Sequence, residues 1–193
     1  MNYKIKHVTN EDELKKTLKF ARNILNHDEQ FDKQSWSERM KAHPELLIYA
    51  ESRSEVIGIS LAYLEDNGNA TIGGVAVDTE YRKHGIAKEL ITQVEKQAKK
   101  LNVHLIVLGS KEEAEGFYEK IGYTGQLLIQ SQRHSVEELL ELNPGYSVVF
   151  TNVYNGKINQ LCLKLDRPNK ELKRQCESIL DGCYTQIMFW KTI

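Results

Sequence analysis

The turn from Arg82 to Ala87 has the composition of an anion-binding segment. It begins with Arg-Lys-His and continues with Gly85, whose missing side chain lets a bulky anion approach the backbone. The residues before it, Ala70–Val77, indicate a strand, and apolar residues at helical spacing after it indicate a long helix. The first turn of a helix carries unpaired N–H groups and a partial positive charge, so it attracts phosphate. These residues alone predict an anion site and leave the identity of the anion open.

A second motif lies further along the chain, from Gly116 to Tyr123. It reads as a helix that carries Tyr118 and ends at a glycine, and the apolar stretch Val103–Leu108 before it indicates a strand. The pattern Arg-x-x-Gly-x-Ala followed by this motif resembles the GNAT superfamily of acetyl-coenzyme A dependent N-acetyltransferases. The resemblance covers the chain to about residue 130. Thr79 and Lys111 stand where the family often has Pro and Asn.

The resemblance implies an α+β fold with a mixed sheet that splays open between the strand at 70–77 and the strand at 103–108. The pantetheine arm of acetyl-CoA would lie in that gap, bonded by the backbone of the first strand. A bulge there would direct an N–H group at the thioester oxygen and stabilise the developing oxyanion. The amides from Lys83 to Ala87 would hold the pyrophosphate. The cofactor-binding residues that follow from the resemblance are Val75, Ala76, Val77, Arg82, Lys83, His84, Gly85, Ile86 and Ala87.

Tyr118 matches the general acid of the family, which protonates the leaving thiolate of coenzyme A. The competing interpretation is a half-buried core tyrosine. No single residue is identifiable as the general base, and seven side chains are candidates. They are His7, His27, Asp28, Glu29, His43, Glu51 and Glu65. No Ser/His/Asp or Cys/His arrangement indicates a covalent mechanism, so we expect direct transfer in a ternary complex.

The residues after the polar segment 131–135 follow a pattern of their own, which divides the chain into a GNAT-like domain at 1–131 and a smaller unit at 132–193. The smaller unit reads as a short helix followed by β-β-α-β, with a hairpin signal at Asn155-Gly156 like that at Asn67-Gly68. About 60 residues are too few for a large core. We therefore expect the unit to pack on the first domain or on a second subunit, which leaves a homodimer open.

The composition is that of an ordinary soluble globular chain, with 40% hydrophobic and 27% charged residues and a net charge of -1. The charge gives no sign of binding to nucleic acid or to an anionic membrane. No apolar stretch approaches the ~20 residues of a membrane span, and no signal peptide begins the sequence, so we expect a cytoplasmic protein. Cys162, Cys176 and Cys183 lack metal-ligand spacing and indicate buried, reduced thiols, so no metal is expected.

The sequence therefore predicts an N-acetyltransferase that moves the acetyl group of acetyl-CoA to a primary amine of a small molecule or peptide. Three alternatives remain. The enzyme could transfer another acyl group such as succinyl or propionyl, or the chain could be a coenzyme A-binding sensor without catalysis. A nucleotide-binding module is the weakest, because the turn lacks both the Walker ending and the three-glycine dinucleotide fingerprint.

Overall fold

The computed structural model describes residues 2–26 and 29–193, which form two compact units. The first unit contains residues up to Leu108 together with Thr192 and Ile193, and the second contains Gly109–Lys191. The predicted domain boundary after residue 131 stays a prediction. Among the described residues, no helix is both long and apolar enough to cross a membrane.

The first unit is a mixed sheet with strands in the order β1-β2-β3-β4-β5. The strands β1 to β4 pair antiparallel, and β4 pairs with β5 in parallel. The last strand, β5, begins in this unit, and its final two residues belong to the second unit. The strand bounds are Lys4–His7 for β1, Leu47–Ser52 for β2, Glu55–Leu64 for β3, Ala70–Val77 for β4 and Leu105–Ser110 for β5.

Three helices cover the two faces of this sheet, namely α1 (Glu11–Leu25), α2 (Lys33–Ala42) and α3 (Ile86–Lys100). A Cβ atom built on Gly58 of β3 would touch α3, whereas one built on Gly74 of β4 would touch Leu25 of α1 and the following segment. Gly74 pairs with Leu61, and Leu61 is three residues after Gly58 in β3. Because side chains alternate between faces along a strand, Gly58 and Gly74 are on opposite faces of the sheet. Helices α1 and α3 therefore lie on opposite faces.

Several expectations for this unit are confirmed and two are corrected. The sequence indicates Thr9 or Asn10 as the cap of the first helix, and the Asn10 side chain caps α1. The bounds of β3 and β4 agree with the strands predicted at 55–64 and 70–77. The sequence pattern predicts that His104 opens an inner strand as a hydrogen-bonded structural histidine, whereas His104 is exposed and precedes β5. The side chains of Leu105 and Val107 remain half-buried, so β5 is not covered fully on both faces.

The two Asn-Gly hairpins differ in their turns. Asn155 and Gly156 both have positive φ, 50° and 64°, as a tight two-residue turn requires. At the other hairpin only Gly68 has positive φ, 82°. The expectation of two left-handed residues is therefore wrong at Asn67, although a hairpin does form there.

The second unit is an antiparallel sheet with strands in the order β9-β6-β8-β7 and three short helices. Its C-terminal part has the predicted β-β-α-β order, and the three cysteines are free and buried. The spacing of Leu172, Cys176 and Ile179 predicts that all three share the buried face of the last helix. Leu172 and Cys176 are buried, whereas Ile179 is 56% exposed. The element bounds are Glu115–Lys120 for α4, Thr124–Ser131 for β6, Val136–Glu141 for α5, Val148–Tyr154 for β7, Ile158–Lys164 for β8, Lys170–Ile179 for α6 and Cys183–Thr192 for β9.

Candidate active site

Strand β4 leaves its neighbour β5 after two residue pairs. The parallel register consists of Ala70 opposite Ile106 and Thr71 opposite Val107, whereas β4 continues to pair with β3 as far as Val77. Within the described residues of this unit, the edge of β4 from residue 72 onward is therefore unpaired on the β5 side. This is the splayed sheet that the sequence predicted.

The backbone of Val75 and Val77 faces this unpaired edge. The N–H group of Asp78 donates to a carbonyl of β3 at 2.9 Å. Backbone groups of alternate residues in a strand point to opposite sides, so those of Ala76 also face β3. The groups of Val75 and Val77 must then point away from β3, and the Val77 carbonyl indeed accepts a hydrogen bond from Nε of Arg82 at 3.1 Å.

A β-bulge interrupts β4 shortly before these two residues. Gly74 pairs with Leu61 and Ile72 pairs with Ala62, so Gly73 is an extra residue with no partner in the register. The predicted bulge is thus present, two residues before Val75. A bulge redirects the backbone, and here it does so at the unpaired edge.

Aromatic side chains pack directly against the two glycines of the bulge. A Cβ atom on Gly73 would lie 3.0 Å from the ring of Trp36, and one on Gly74 would lie 2.6 Å from the ring of Phe31. The side-chain amide of Gln30 donates to the Gly73 carbonyl at 2.6 Å. Only glycine fits at Gly74 without movement of its neighbours. The packing of residues 30–36 therefore requires the two glycines of the bulge.

The anion-binding turn follows β4 and has an open backbone. Lys83 and Gly85 have positive φ, 65° and 82°, and Gly85 is the N-cap of α3. A Cβ atom on Gly85 would meet nothing within 4 Å. The first backbone bond into the helix is donated by Glu89 to the Gly85 carbonyl at 3.0 Å, and the N–H groups of the three residues before it have no intrahelical acceptor. The turn therefore presents amides to a space that a large anion can enter.

The side chains of the turn divide into two groups. Arg82, Lys83 and His84 are exposed and can approach an anion from solvent. Ile86 is 1% exposed and packs toward β3, so only its backbone can contribute to binding, and Ala87 is half-buried. All six predicted residues of the turn are thus in one short segment of the first unit.

Tyr118 belongs to the second unit, on α4. Its side chain is 7% exposed, and its ring lies 5.3 Å from that of Phe189 and 6.1 Å from that of Tyr123. Burial raises the pKa of Tyr118 to about 12. The phenol therefore keeps its proton at neutral pH, which is the form that a proton donor needs. Its packing is equally that of a core aromatic residue.

Helix α4 is tied to α6 by an ion pair that the sequence analysis did not identify. The Nζ atom of Lys173 lies 3.0 Å from a carboxylate oxygen of Glu115 and 3.6 Å from one of Glu112. Glu115 is 3% exposed and Lys173 is 9% exposed. Glu115 is one helical turn before Tyr118, so the pair holds the N-terminal end of the helix that carries the tyrosine. No local sequence signal indicates such a pair, because its members are 58 residues apart.

The candidate bases separate by their surroundings. Glu65 accepts a hydrogen bond from the hydroxyl group of Thr71 at 2.7 Å, and Thr71 is the last residue of β4 that pairs with β5. Glu51 instead forms an ion pair with Lys6, and His43 contacts Glu45 at 3.1 Å.

The four other candidate bases give less information. His7 has a buried Nδ1 atom with no hydrogen-bond partner among the described residues. The predictions for His27 and Asp28 fall outside the described residues, and the same holds for the side chain of Glu29. Among the described candidates, Glu65 is the one held beside the point where β4 and β5 separate.

The comparisons with known proteins agree with this geometry. A sequence profile of the acetyltransferase (GNAT) family matches residues 10–123, and no curated protein matches the chain. Among solved structures, a proposed acetyltransferase from Pyrococcus horikoshii has a TM-score of 0.61 and 14% identity, over 99% of this chain and 89% of that one.

Two further structures contain coenzyme A. An aminoglycoside 6'-N-acetyltransferase has a TM-score of 0.56 and 16% identity, over 98% of this chain and 96% of that one. The PaiA N-acetyltransferase from Thermoplasma acidophilum has a TM-score of 0.55 and 16% identity, over 86% of this chain and all of that one. At these identities the likeness is one of fold. The profile match extends over more than half of the sequence, and the protein belongs to the GNAT acetyltransferase family.

Proposed function

We propose that the protein is an acetyl-CoA dependent N-acetyltransferase that transfers the acetyl group directly to a primary amine. The observation that carries the proposal is the continuous path formed by the unpaired edge of β4 and the turn Arg82–Ala87. The backbone groups of Val75 and the N–H group of Val77 are available for the pantetheine arm along this edge, whereas the Val77 carbonyl accepts from Arg82. The amides and basic side chains of the turn are available for the pyrophosphate at its end.

The residues of the turn fit the charge and size of a pyrophosphate. Gly85 leaves open space above the backbone, and the helix N-terminus and the exposed Arg82 and Lys83 supply positive potential. Normal coenzyme A affinity in a Gly85→Glu variant would count against this assignment.

In the proposed reaction, Tyr118 donates the phenolic proton to the coenzyme A sulfur as the carbon–sulfur bond breaks. The neutral amine attacks the carbonyl carbon, and the nitrogen loses its proton to a base. This role of Tyr118 is supported by the family resemblance, in which the matching tyrosine is the general acid.

Glu65 is the base that we favour, acting directly or through water. Thr71 holds its carboxylate beside the point where β4 and β5 separate. An attacking amine that reaches an acetyl group near the bulge would pass this carboxylate. A Glu65→Gln variant should lose turnover most strongly at low pH, where more of the amine is protonated, while its affinity for acetyl-CoA is retained.

The experiment that tests the function is an amine panel with acetyl-CoA, followed by release of free thiol and by mass spectrometry of the product. The panel contains amino acids, a short peptide, an amino sugar and a polyamine. A mass increase on an amine together with stoichiometric thiol release supports the proposal. Tight coenzyme A binding without acetylation of any amine would favour the sensor, and faster release from succinyl- or propionyl-CoA would favour another acyl group.

A further inference from the structure

We propose that Arg39 binds a carboxylate of the acceptor, so that the preferred substrates are amines that also carry a carboxylate group. This inference rests on the proposed function, because it concerns the acceptor side of the same site. It assigns the acceptor class, about which the anion-binding turn gives no information.

Arg39 lies on α2 with its guanidinium group against two aromatic rings. The central carbon of the guanidinium is 3.6 Å from the ring centre of Tyr63 and 4.6 Å from that of Trp36. An arginine stacked in this way keeps the N–H groups at the edge of its plane directed outward, where they can bind a carboxylate in bidentate fashion. The rings also restrict the guanidinium, which lowers the entropy lost when a ligand binds.

The same two rings contact the bulge of β4. A Cβ atom on Gly73 would lie 3.0 Å from Trp36 and 3.3 Å from Tyr63. Arg39 is therefore separated from the bulge by a single layer of aromatic side chains, on the face of the sheet opposite α3. Trp36 is fully buried and covers the bulge on this face, so the guanidinium lies on the outer side of the aromatic layer, where a substrate group can contact it.

Among the described side chains, which do not include those of residues 27–29, no carboxylate forms an ion pair with Arg39. None of their carboxylate oxygens lies within 4.0 Å of its guanidinium nitrogens. Hydrogen bonds from Ser35 and, to a smaller extent, the charge of Arg39 lower the pKa of Asp32, which is occupied as the N-cap of α2. A half-buried guanidinium with no carboxylate partner among the described side chains can bind an anionic group of a substrate.

Glu65 follows the end of β3 and gives the site a negative group. Its carboxylate accepts a hydrogen bond from Thr71, which is paired with Tyr63, and residues paired across two strands share a face of the sheet. A substrate with an amine near Glu65 and a carboxylate near Arg39 would match both charges. An α-amino acid is the simplest molecule of this type.

The test compares each amino acid with its own amide, in which the carboxylate is replaced by a neutral group. Thiol release and product mass are measured for wild type, Arg39→Gln, Arg39→Lys and the control Lys41→Gln, which removes one positive charge from an exposed position of the same helix. The amide has the less basic amine, so its larger neutral fraction works against the expected result.

For wild type and Lys41→Gln, we expect kcat/KM to be about 10-fold or more higher for the acids than for the amides, the usual size of a charge-assisted contact. Arg39→Gln should reduce this preference to about 2-fold while KM for acetyl-CoA stays unchanged, and Arg39→Lys should retain an intermediate preference.

The outcomes separate the inference from the function on which it rests. Amine acetylation with equal efficiency for acids and amides overturns the inference and leaves the proposed function intact. The same conclusion follows if Arg39→Gln lowers the melting temperature but keeps the preference, since Arg39 would then only fasten α2 to the sheet. If no amine of either series is acetylated, the proposed function fails and the inference fails with it.

Discussion

From the ion pair between Lys173 and Glu115, we predict that replacing the lysine destabilises the protein more than replacing the glutamate. Replacing Lys173 with Met leaves the carboxylate of Glu115, 3% exposed, without its partner. Stranding a buried charge in this way costs about 3–5 kcal/mol. Replacing Glu115 with Gln is milder, because Lys173 still has Glu112 at 3.6 Å, and the lost charged hydrogen bond is worth about 1.5–3 kcal/mol.

The assay is thermal unfolding followed by circular dichroism, with urea unfolding as a second measure. For a chain of this length, a loss of 1 kcal/mol lowers the melting temperature by about 2–4 °C. Lys173→Met should therefore lower it by about 6–20 °C, and Glu115→Gln by roughly half as much. The double variant Lys173→Met with Glu115→Met should recover most of the loss, because apolar side chains of similar volume replace both charges.

A matched control comes from the neighbouring lysine. Lys170 is 57% exposed and pairs with Glu112 at 2.9 Å, so Lys170→Met should leave the melting temperature nearly unchanged. The reasoning would be refuted if Glu115→Gln were at least as damaging as Lys173→Met. It would also be refuted if the double variant were less stable than Lys173→Met alone.

Four further predictions address the site and the two units. Tyr118→Phe should lower kcat about 10-fold or more and leave KM for acetyl-CoA nearly unchanged, as measured by steady-state thiol release. Gly85→Glu should abolish coenzyme A binding in calorimetry, because it brings bulk and negative charge to the open turn. Gly74→Ala would place a Cβ atom 2.6 Å from a buried ring and should cost about 1–3 kcal/mol in urea unfolding. A hydrogen bond with the Asp181 carbonyl raises the pKa of His134, so the stability that this group contributes is complete below its unfolded pKa of about 6.5 and is lost as pH rises through the folded value. The melting temperature of His134→Gln should therefore fall further below that of wild type in acid than in alkaline buffer.

Each of these predictions can fail in a specific way. Unchanged turnover would remove Tyr118 from the mechanism, and normal coenzyme A affinity would exclude Gly85 from the binding turn. A Gly74→Ala variant as stable as wild type would mean that the ring can move aside. A His134→Gln difference that is independent of pH would show that the imidazole charge does not contribute to stability.

The sequence predicted the elements of the fold well, because hydrophobic periodicity reports which face of a segment is buried. It also located the turn Arg82–Ala87 and the splay of the sheet, the latter through the family resemblance. The sequence did not predict the turn type at Asn67-Gly68. There the Gly68 N–H bonds the Glu65 carbonyl, and Glu65 pairs with Asn69, which produces a three-residue loop with only the glycine left-handed. The Asn-Gly dipeptide predicts that the chain reverses, but the hydrogen bonds of the neighbouring residues determine the turn type.

The long-range features of the site were not predictable from local patterns. Trp36 and Arg39 lie in a segment that the sequence indicates only as a short helix from Trp36 to Lys41, and their contacts with Tyr63 depend on the packing of α2 against β3. The pair Lys173–Glu115 likewise joins two helices that are distant in sequence. Such contacts arise from tertiary packing, about which the residue types alone give no information.

The return of the chain to its first unit has a consequence for folding kinetics. The N–H group of Ile193 donates to the carbonyl of His104 at 3.0 Å. Both residues belong to the first unit, although the residues of the second unit lie between them in sequence. Closing a loop of about 90 residues costs about 4 kcal/mol of chain entropy plus a constant, whereas the hairpin of β3 and β4 closes over only a few residues. High contact order slows folding. The antiparallel hairpins should therefore form early, and the hydrogen bond at residue 193 should be among the last contacts to become protected in a pulse-labelling experiment.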